Sequence, residues 1–380
     1  MTVLDHRHHA PVPGWLPGAT APRADPAPLL PDLSPVRAIG TPALEKYDPA
    51  LLRELYRRLV VGRRYNQQAT TLTKQGRLAV YPASTGQEAC QVAAALVLGE
   101  CDWLFPSYRD TLAVVSRGVD PLEALTLLRG SAHTGYDPRA SRTAPLCTPL
   151  ATQAPHAVGL AHAARLRGEP VVALAMLGDG GTSEGDFHEA LNFAAVLGAP
   201  VVFLVQNNGY AISVPLSAQS AAPSLAHKAV GYGMPGRLVD GNDAPAVHSV
   251  LTEAVERARA GGGPTLVEAL TYRIDAHTNA DDATRYRTES EVAAWREHDP
   301  IQLMERALRG LGLLDDRLVR EAADEAEALA ARMRAEFHAD PALDPMSLFA
   351  HVFAEPTPQL REQAEQLAAE LAAEAEVADR

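Results

Sequence analysis

The chain has 380 residues, enough for two or three average domains or one large α/β unit, and 47% hydrophobic content supplies an ample core. A formal charge of −13 with no offsetting basic stripe excludes a nucleic-acid surface. No apolar run approaches the roughly eighteen residues of a membrane span, and the spacing of Cys90, Cys101 and Cys147 suits neither disulfides nor a metal.

Residues 1–47, rich in proline, read as an extended arm that could wrap a neighbouring subunit, with His6, His8 and His9 exposed on it. The unpaired cysteines make a reducing, cytoplasmic setting the expectation, and the first residues also lack the apolar core of a secretory signal. Asp48 and Pro49 open a long amphipathic helix with Leu52, Leu55, Tyr56, Leu59 and Val60 on one side, ending near Gly76. Ser84 with Gln87 three residues later predicts the capping box of a second helix running to Gly99. WLFPSYR, from Trp103 to Arg109, passes from a strand-like run into a polar turn. Asp120-Pro121 caps a further helix, and the segment after Cys147 leads into another.

The next stretch organises the rest. The apolar run from Pro170 to Leu177 has no period-2 alternation and stops at Gly178-Asp179-Gly180-Gly181, as a strand buried on both faces would. Ser183 and Asp186 read as a helix N-cap with its reciprocal acid, and Phe187, Ala190, Leu191 and Ala194 share one helical face until Gly198. Val201 to Val205 is a second buried strand, closed by Gln206-Asn207-Asn208-Gly209. Two such strands joined by a helix form a right-handed parallel βαβ unit. Further on, Asp243 starts a helix that the run Gly261 to Gly263 ends, and Leu266 to Ile274 is the last strand. That alternation predicts an α/β fold, a doubly wound and mostly parallel sheet with helices on both faces. A polar loop containing His277 follows, and from Thr288 the chain is helical and charged, with a break between Pro341 and Pro345. On the final helix Leu360, Ala364, Leu367 and Leu371 form a stripe that suits either a partner or an internal contact. The expected organisation is an arm over 1–47, an α/β domain over 48–300 and a helical region over 301–380 packed on it.

Parallel βαβ units bind ligands at the carboxyl ends of their strands, where Asp179 and Asn208, 29 residues apart, come together. An acid, an amide and glycines that admit close backbone approach suit a diphosphate held through a divalent ion. A helix N-terminus alone contributes at most ~2 kcal/mol to an anion, so a metal is expected. Mg²⁺ takes octahedral oxygen ligation shared between protein, phosphate and water; side-chain oxygens of Asp179 and Asn208 with the Tyr210 carbonyl would fill the protein's share.

The Gly-Asp-Gly and Asn-Asn turns at this interval resemble the thiamine diphosphate motif. Residues 45–375 are similar to the alpha subunit of the decarboxylating component of 2-oxo acid dehydrogenase complexes. The resemblance implies a thiamine diphosphate-binding fold in which Tyr108, Arg109, Thr148, Leu150, Gly178, Asp179, Gly180, Gly181, Asn208, Tyr210, Ile212 and His277 contact the cofactor. Leu150 would be the wedge that keeps the cofactor bent. It further implies that His277 orients the substrate and assists acyl transfer beside Arg273, and that Cys147, Thr152 and Gln153 match a potassium loop, with Cys147 in place of a hydroxyl residue. Thr278 stands where some relatives carry a phosphorylatable serine, so kinase control is not inferred. The carboxylate that activates the cofactor lies, by the same resemblance, on a beta subunit, which implies an α2β2 heterotetramer working with a lipoyl-bearing acyltransferase. The run NNGYAISVP, the segment VDGNDAPAV, the C-terminal tail and Asp110 after Tyr108-Arg109 look most like branched-chain members. Pyruvate or acetoin is the alternative substrate, and a catalytically inactive scaffold is the non-enzyme alternative.

Overall fold

The computed structural model describes residues 26–130, 135–337, 344–350 and 352–378. His6, His8, His9 and the first half of the expected arm lie outside them. The chain divides into two compact units, residues up to Phe337 and residues from His338.

In the first unit the sheet is built from β1 (Trp103–Phe105), β2 (Ala173–Gly178), β3 (Val201–Asn207), β6 (Gly236–Asp240) and β7 (Thr265–Leu270), in the order β1-β2-β3-β7-β6. A small hairpin of β4 (Tyr210–Ala211) and β5 (Val214–Pro215) stands apart. Every pairing in the five-stranded sheet is parallel, so each crossover needs a helix. The helices are α1 (Pro49–Lys74), α2 (Glu88–Leu96), α3 (Thr111–Ser116), α4 (Pro121–Leu125), α5 (Pro138–Ser141), α6 (Gln153–Arg167), α7 (Gly185–Leu197), α8 (Ala244–Arg259), α9 (Glu289–Arg296), α10 (Pro300–Gly310) and α11 (Asp316–Glu336). The second unit holds a 3₁₀ turn over Pro345–Phe349 and α12 (Pro358–Ala378), which carries the expected apolar stripe.

The absence of alternation along β2 and β3 has the expected cause. Leu174, Met176, Val202 and Leu204 pack with α1, α2 and α8 on one face of the sheet, while Ala173, Ala175, Leu177, Phe203 and Val205 pack with α6 and α7 on the other. Both faces are covered, so neighbouring positions are all apolar. Residues 26–47 are partly tied down: Val36 bridges Val239 at the β6 edge, and Asp243 Oδ2 accepts from Ala38 N and Ile39 N.

Helix starts at Asp48, Asp120 and Asp243 are as expected, each side chain accepting from a first-turn amide. The helix after Asp120 is α-helical only to Leu125 and tightens to 3₁₀ over Thr126–Arg129. Two expected caps are absent. Ser84 is fully buried and bonded to Asn66 of α1, and α2 begins later, at Glu88. Ser183 ends a 3₁₀ turn, α7 begins at Gly185 without a side-chain cap, and Asp186 instead accepts from Thr152 Oγ1. In both cases a tertiary partner claims the polar group that the local pattern assigned to the helix end. Strand β7 stops at Leu270, short of the expected Ile274, because β3 beside it ends at Asn207; Thr271 N then bonds Asn207 O and the chain leaves the sheet.

Phe203 is fully buried in central strand β3. Phe203→Ala is expected to lower unfolding stability by about 3–5 kcal/mol through lost burial and a cavity, read by urea denaturation; a loss below about 1 kcal/mol would contradict this packing.

Candidate active site

One cavity opens at the carboxyl ends of β1, β2 and β3. Of the residues expected there, Tyr108, Arg109, Leu150, Gly178, Asp179, Gly180, Gly181, Asn208, Tyr210, Ile212, Arg273 and His277 all line it. Cys147 and Gln153 line it as well, whereas Thr148 and Thr152 do not, and Thr148 is exposed.

Asp179 follows β2 and is 1% exposed. Its Oδ1 accepts from Asn208 N at 3.4 Å, so the turns after β2 and β3 meet. Its Oδ2 accepts from Gln219 Nε2 at 2.8 Å. Both donors are neutral amides. Burial consequently pushes the carboxyl above its ordinary range, only partly offset by these hydrogen bonds and by Arg273. Beside it the Oε1 of Gln219 is buried without a partner. A buried acid that accepts hydrogen bonds only from neutral amides among the described residues, with an orphan oxygen nearby, suits a divalent ion, which would supply the missing charge. Among the described residues no three His, Cys, Asp or Glu side chains cluster as a ligand set. A metal here must share amide and carbonyl oxygens and a bound ligand's own, as Mg²⁺ does.

The backbone is shaped around this point. A Cβ on Gly180 would lie 2.7 Å from that of Ala211, so glycine is required for the close approach. Ala151 and Ile212 adopt left-handed φ of 64° and 55°, strained for an alanine and more so for a β-branched residue. The Ile212 carbonyl is held by Arg273 Nη2 at 2.7 Å. The Ile212 and Leu150 side chains, 55% and 43% exposed, give the cavity an apolar rim.

Arg109 and Arg273 are buried and converge on His277. Arg109 Nη2 lies 3.0 Å and Arg273 Nη1 3.4 Å from His277 Nδ1. Guanidinium groups only donate, so Nδ1 accepts and the ring proton resides on Nε2. Burial first, then the two arginines, push the imidazole down to about 4, with Asp281 opposing weakly. The loop is fixed by Asp281 Oδ2, which accepts from His277 N and from the Tyr286 hydroxyl, and Tyr286 in turn accepts from Arg273. The site thus offers a neutral donor, two cationic forks and a buried acid within one cleft.

Sequence reading did not find Gln87, Ser107, Glu184, Gln206 and Ala211 in the lining, or Gln219 bonded to Asp179. Gln206 carried one signal, an amide beside Asn207 at the end of an apolar run. Gln87 carried none beyond a cap it does not make.

Residues 56–345 match the dehydrogenase E1 component family. Over 349 residues, 90% of this chain and 95% of the relative, the sequence is 48% identical to the 3-methyl-2-oxobutanoate dehydrogenase subunit alpha of Mycobacterium tuberculosis. Over 278 residues, 73% of this chain and 75% of the relative, it is 42% identical to the pyruvate dehydrogenase E1 component subunit alpha of Staphylococcus aureus.

An unfolded histidine titrates near about 6.5, and His277 is pushed down to about 4. The neutral ring's contribution to stability is therefore full above the unfolded value and lost as pH falls towards the folded one. NMR titration of the His277 ring is expected to show no protonation between neutral pH and about pH 5; a midpoint at the unfolded value would contradict the arginine contacts.

Proposed function

The chain belongs to the dehydrogenase E1 component family, and from that premise we propose that it is the alpha subunit of a branched-chain 2-oxo acid decarboxylase component. The family implies thiamine diphosphate dependence. Bound in the cleft, that cofactor would supply a nucleophilic carbon and an electron sink for the bonding pair left behind as CO₂ departs.

The carrying observation is the junction of Asp179 with Asn208 beside a neutral His277. Asp179, the Asn208 side-chain oxygen and the Tyr210 carbonyl would hold Mg²⁺ against the diphosphate. Arg109, with Tyr108, would face the phosphate oxygens as a charged fork. Leu150 and Ile212 would exclude water and bend the cofactor. His277, with its proton on Nε2, would hold the substrate's oxygen as a hydrogen-bond donor and assist acyl passage to a lipoyl group, with Arg273 keeping the ring neutral. A potassium ion fits less well. Of Cys147, Thr152 and Gln153, only Gln153 offers a buried oxygen without a partner, while the Cys147 thiol bonds Pro149 O and the Thr152 hydroxyl bonds Asp186.

The likeness to the M. tuberculosis subunit, which covers more of the chain at higher identity than that to the S. aureus subunit, favours 3-methyl-2-oxobutanoate as substrate. Pyruvate is the second reading. An inactive scaffold is disfavoured by two strained residues and two buried arginines kept at one cleft. Among the described residues the cleft is lined by no carboxylate besides Asp179 and Glu184. A beta subunit would supply the activating acid in an α2β2 heterotetramer that hands its acyl group to an acyltransferase.

Asp179→Ala in the assembled complex is expected to weaken Mg²⁺-dependent cofactor binding by more than the roughly 10–100-fold typical of outer-sphere partners, read by calorimetry. Unchanged binding would remove the metal assignment. The assembled complex should decarboxylate 3-methyl-2-oxobutanoate faster than pyruvate, and the isolated chain neither; the reverse preference would favour the second reading, and full activity of the isolated chain would refute the shared site.

A further inference from the structure

Behind the candidate metal ligand Asn208 lies a buried polar chain whose other members no reaction step above uses. Gln87, Gln91, Asp110, Gln206 and Asn208 are each at most 5% exposed. Asp110 stands at the start of α3 but caps nothing there. Its Oδ2 takes Ser107 N at 2.7 Å and Ser107 Oγ at 2.6 Å, and its Oδ1 takes Gln206 Nε2 at 2.7 Å and Gln91 Nε2 at 3.0 Å.

As a carboxylate Asp110 can only accept, the Ser107 N–H being an obligate donor to it, and this fixes the sense of everything joined to it. Gln206 must turn its amino group to Asp110, which leaves its Oε1 to accept from Gln87 Nε2 at 3.1 Å. Gln87, its amino group spent, offers Oε1 to Asn208 Nδ2 at 3.2 Å. Asn208, its amino group spent in turn, keeps Oδ1 for the opposite side, where Tyr210 N donates to it at 3.2 Å. Reversing any one amide would set donor against donor or acceptor against acceptor in a buried region, where unpaired groups are costly. Gln91 shows the strength of this constraint. Its Nε2 serves Arg109 O, Asp110 and Gln206, while its Oε1 stays buried without a partner.

We infer that Asp110 is a positioning residue for the metal: acting through the polarised amides of Gln206 and Gln87, it holds the Asn208 side chain with its oxygen, not its nitrogen, available to the cation. This rests on the metal reading proposed above. Gln206 and Gln87 are links, and Asp110 sets their direction.

The test titrates MgCl2 into the assembled complex in the presence of thiamine diphosphate and follows binding by calorimetry. Thermal unfolding of the cofactor-free complex is recorded alongside. D110N removes the obligate acceptor at nearly constant shape, and the half-saturating Mg²⁺ concentration is expected to rise about tenfold or more, as for other outer partners of metal ligands. The double variant D110N/Q206E moves the carboxylate one link along, so that an obligate acceptor again faces Gln87 Nε2, and it is expected to recover most of the lost Mg²⁺ affinity. Unchanged affinity in D110N overturns the inference, as does an equal loss in both variants, which would mark Asp110 as structural only. Should D110N fail to assemble, the double variant decides alone: near-parental Mg²⁺ affinity supports the relay, and lost affinity overturns it. Absence of Mg²⁺-dependent binding in the parent complex would instead sink the metal reading itself.

Discussion

The arrangement depends on a buried acid left short of positive charge. Asp179, at the end of β2, meets the Asn208 amide at the end of β3 and receives hydrogen bonds from neutral groups. A folded chain keeps such a group only where something compensates its desolvation, and a divalent ion with its bound diphosphate would do so. The surrounding features serve that point. Gly180 permits close approach, Ile212 and Ala151 hold strained backbone around it, and Arg273 ties the Ile212 carbonyl to the loop bearing His277.

The sheet makes this geometry possible. Adjacent parallel strands β2 and β3 place their carboxyl ends side by side, and β7 next to them carries the chain on to Arg273 and His277. Helices on both faces cover the central strands, and β3 is buried along its whole length, which gives the turns a rigid platform. Catalytic groups on loops need such a platform to hold tight geometry.

Much of this was legible in the sequence, for identifiable reasons. Unbroken apolar runs announced strands covered on both faces, and polar turns at their ends announced Asp179 and Asn208. Three Asp-initiated helices followed from local chemistry, since an N-cap acts within three residues. Most of the failures share one cause. Ser84, Ser183 and Asp186 matched capping patterns, but Asn66 and Thr152, distant in sequence, claim Ser84 and Asp186, and Ser183 is spent in a 3₁₀ turn. The amides of Gln87, Gln91 and Gln206 were equally hidden, because their partners lie up to 121 residues away and no periodicity records a hydrogen bond of that range. Thr148, placed at the cofactor by resemblance, is exposed outside the cavity.

The central claim is that Asp179 and Asn208 grip a single divalent ion. Anomalous diffraction from crystals of the assembled complex grown with thiamine diphosphate and Mn²⁺ in place of Mg²⁺ tests it most directly. One anomalous peak is expected between the Asp179 and Asn208 side-chain oxygens and the Tyr210 carbonyl, adjoining the diphosphate. Cofactor density with no peak there, or a peak ligated by other residues, would contradict it.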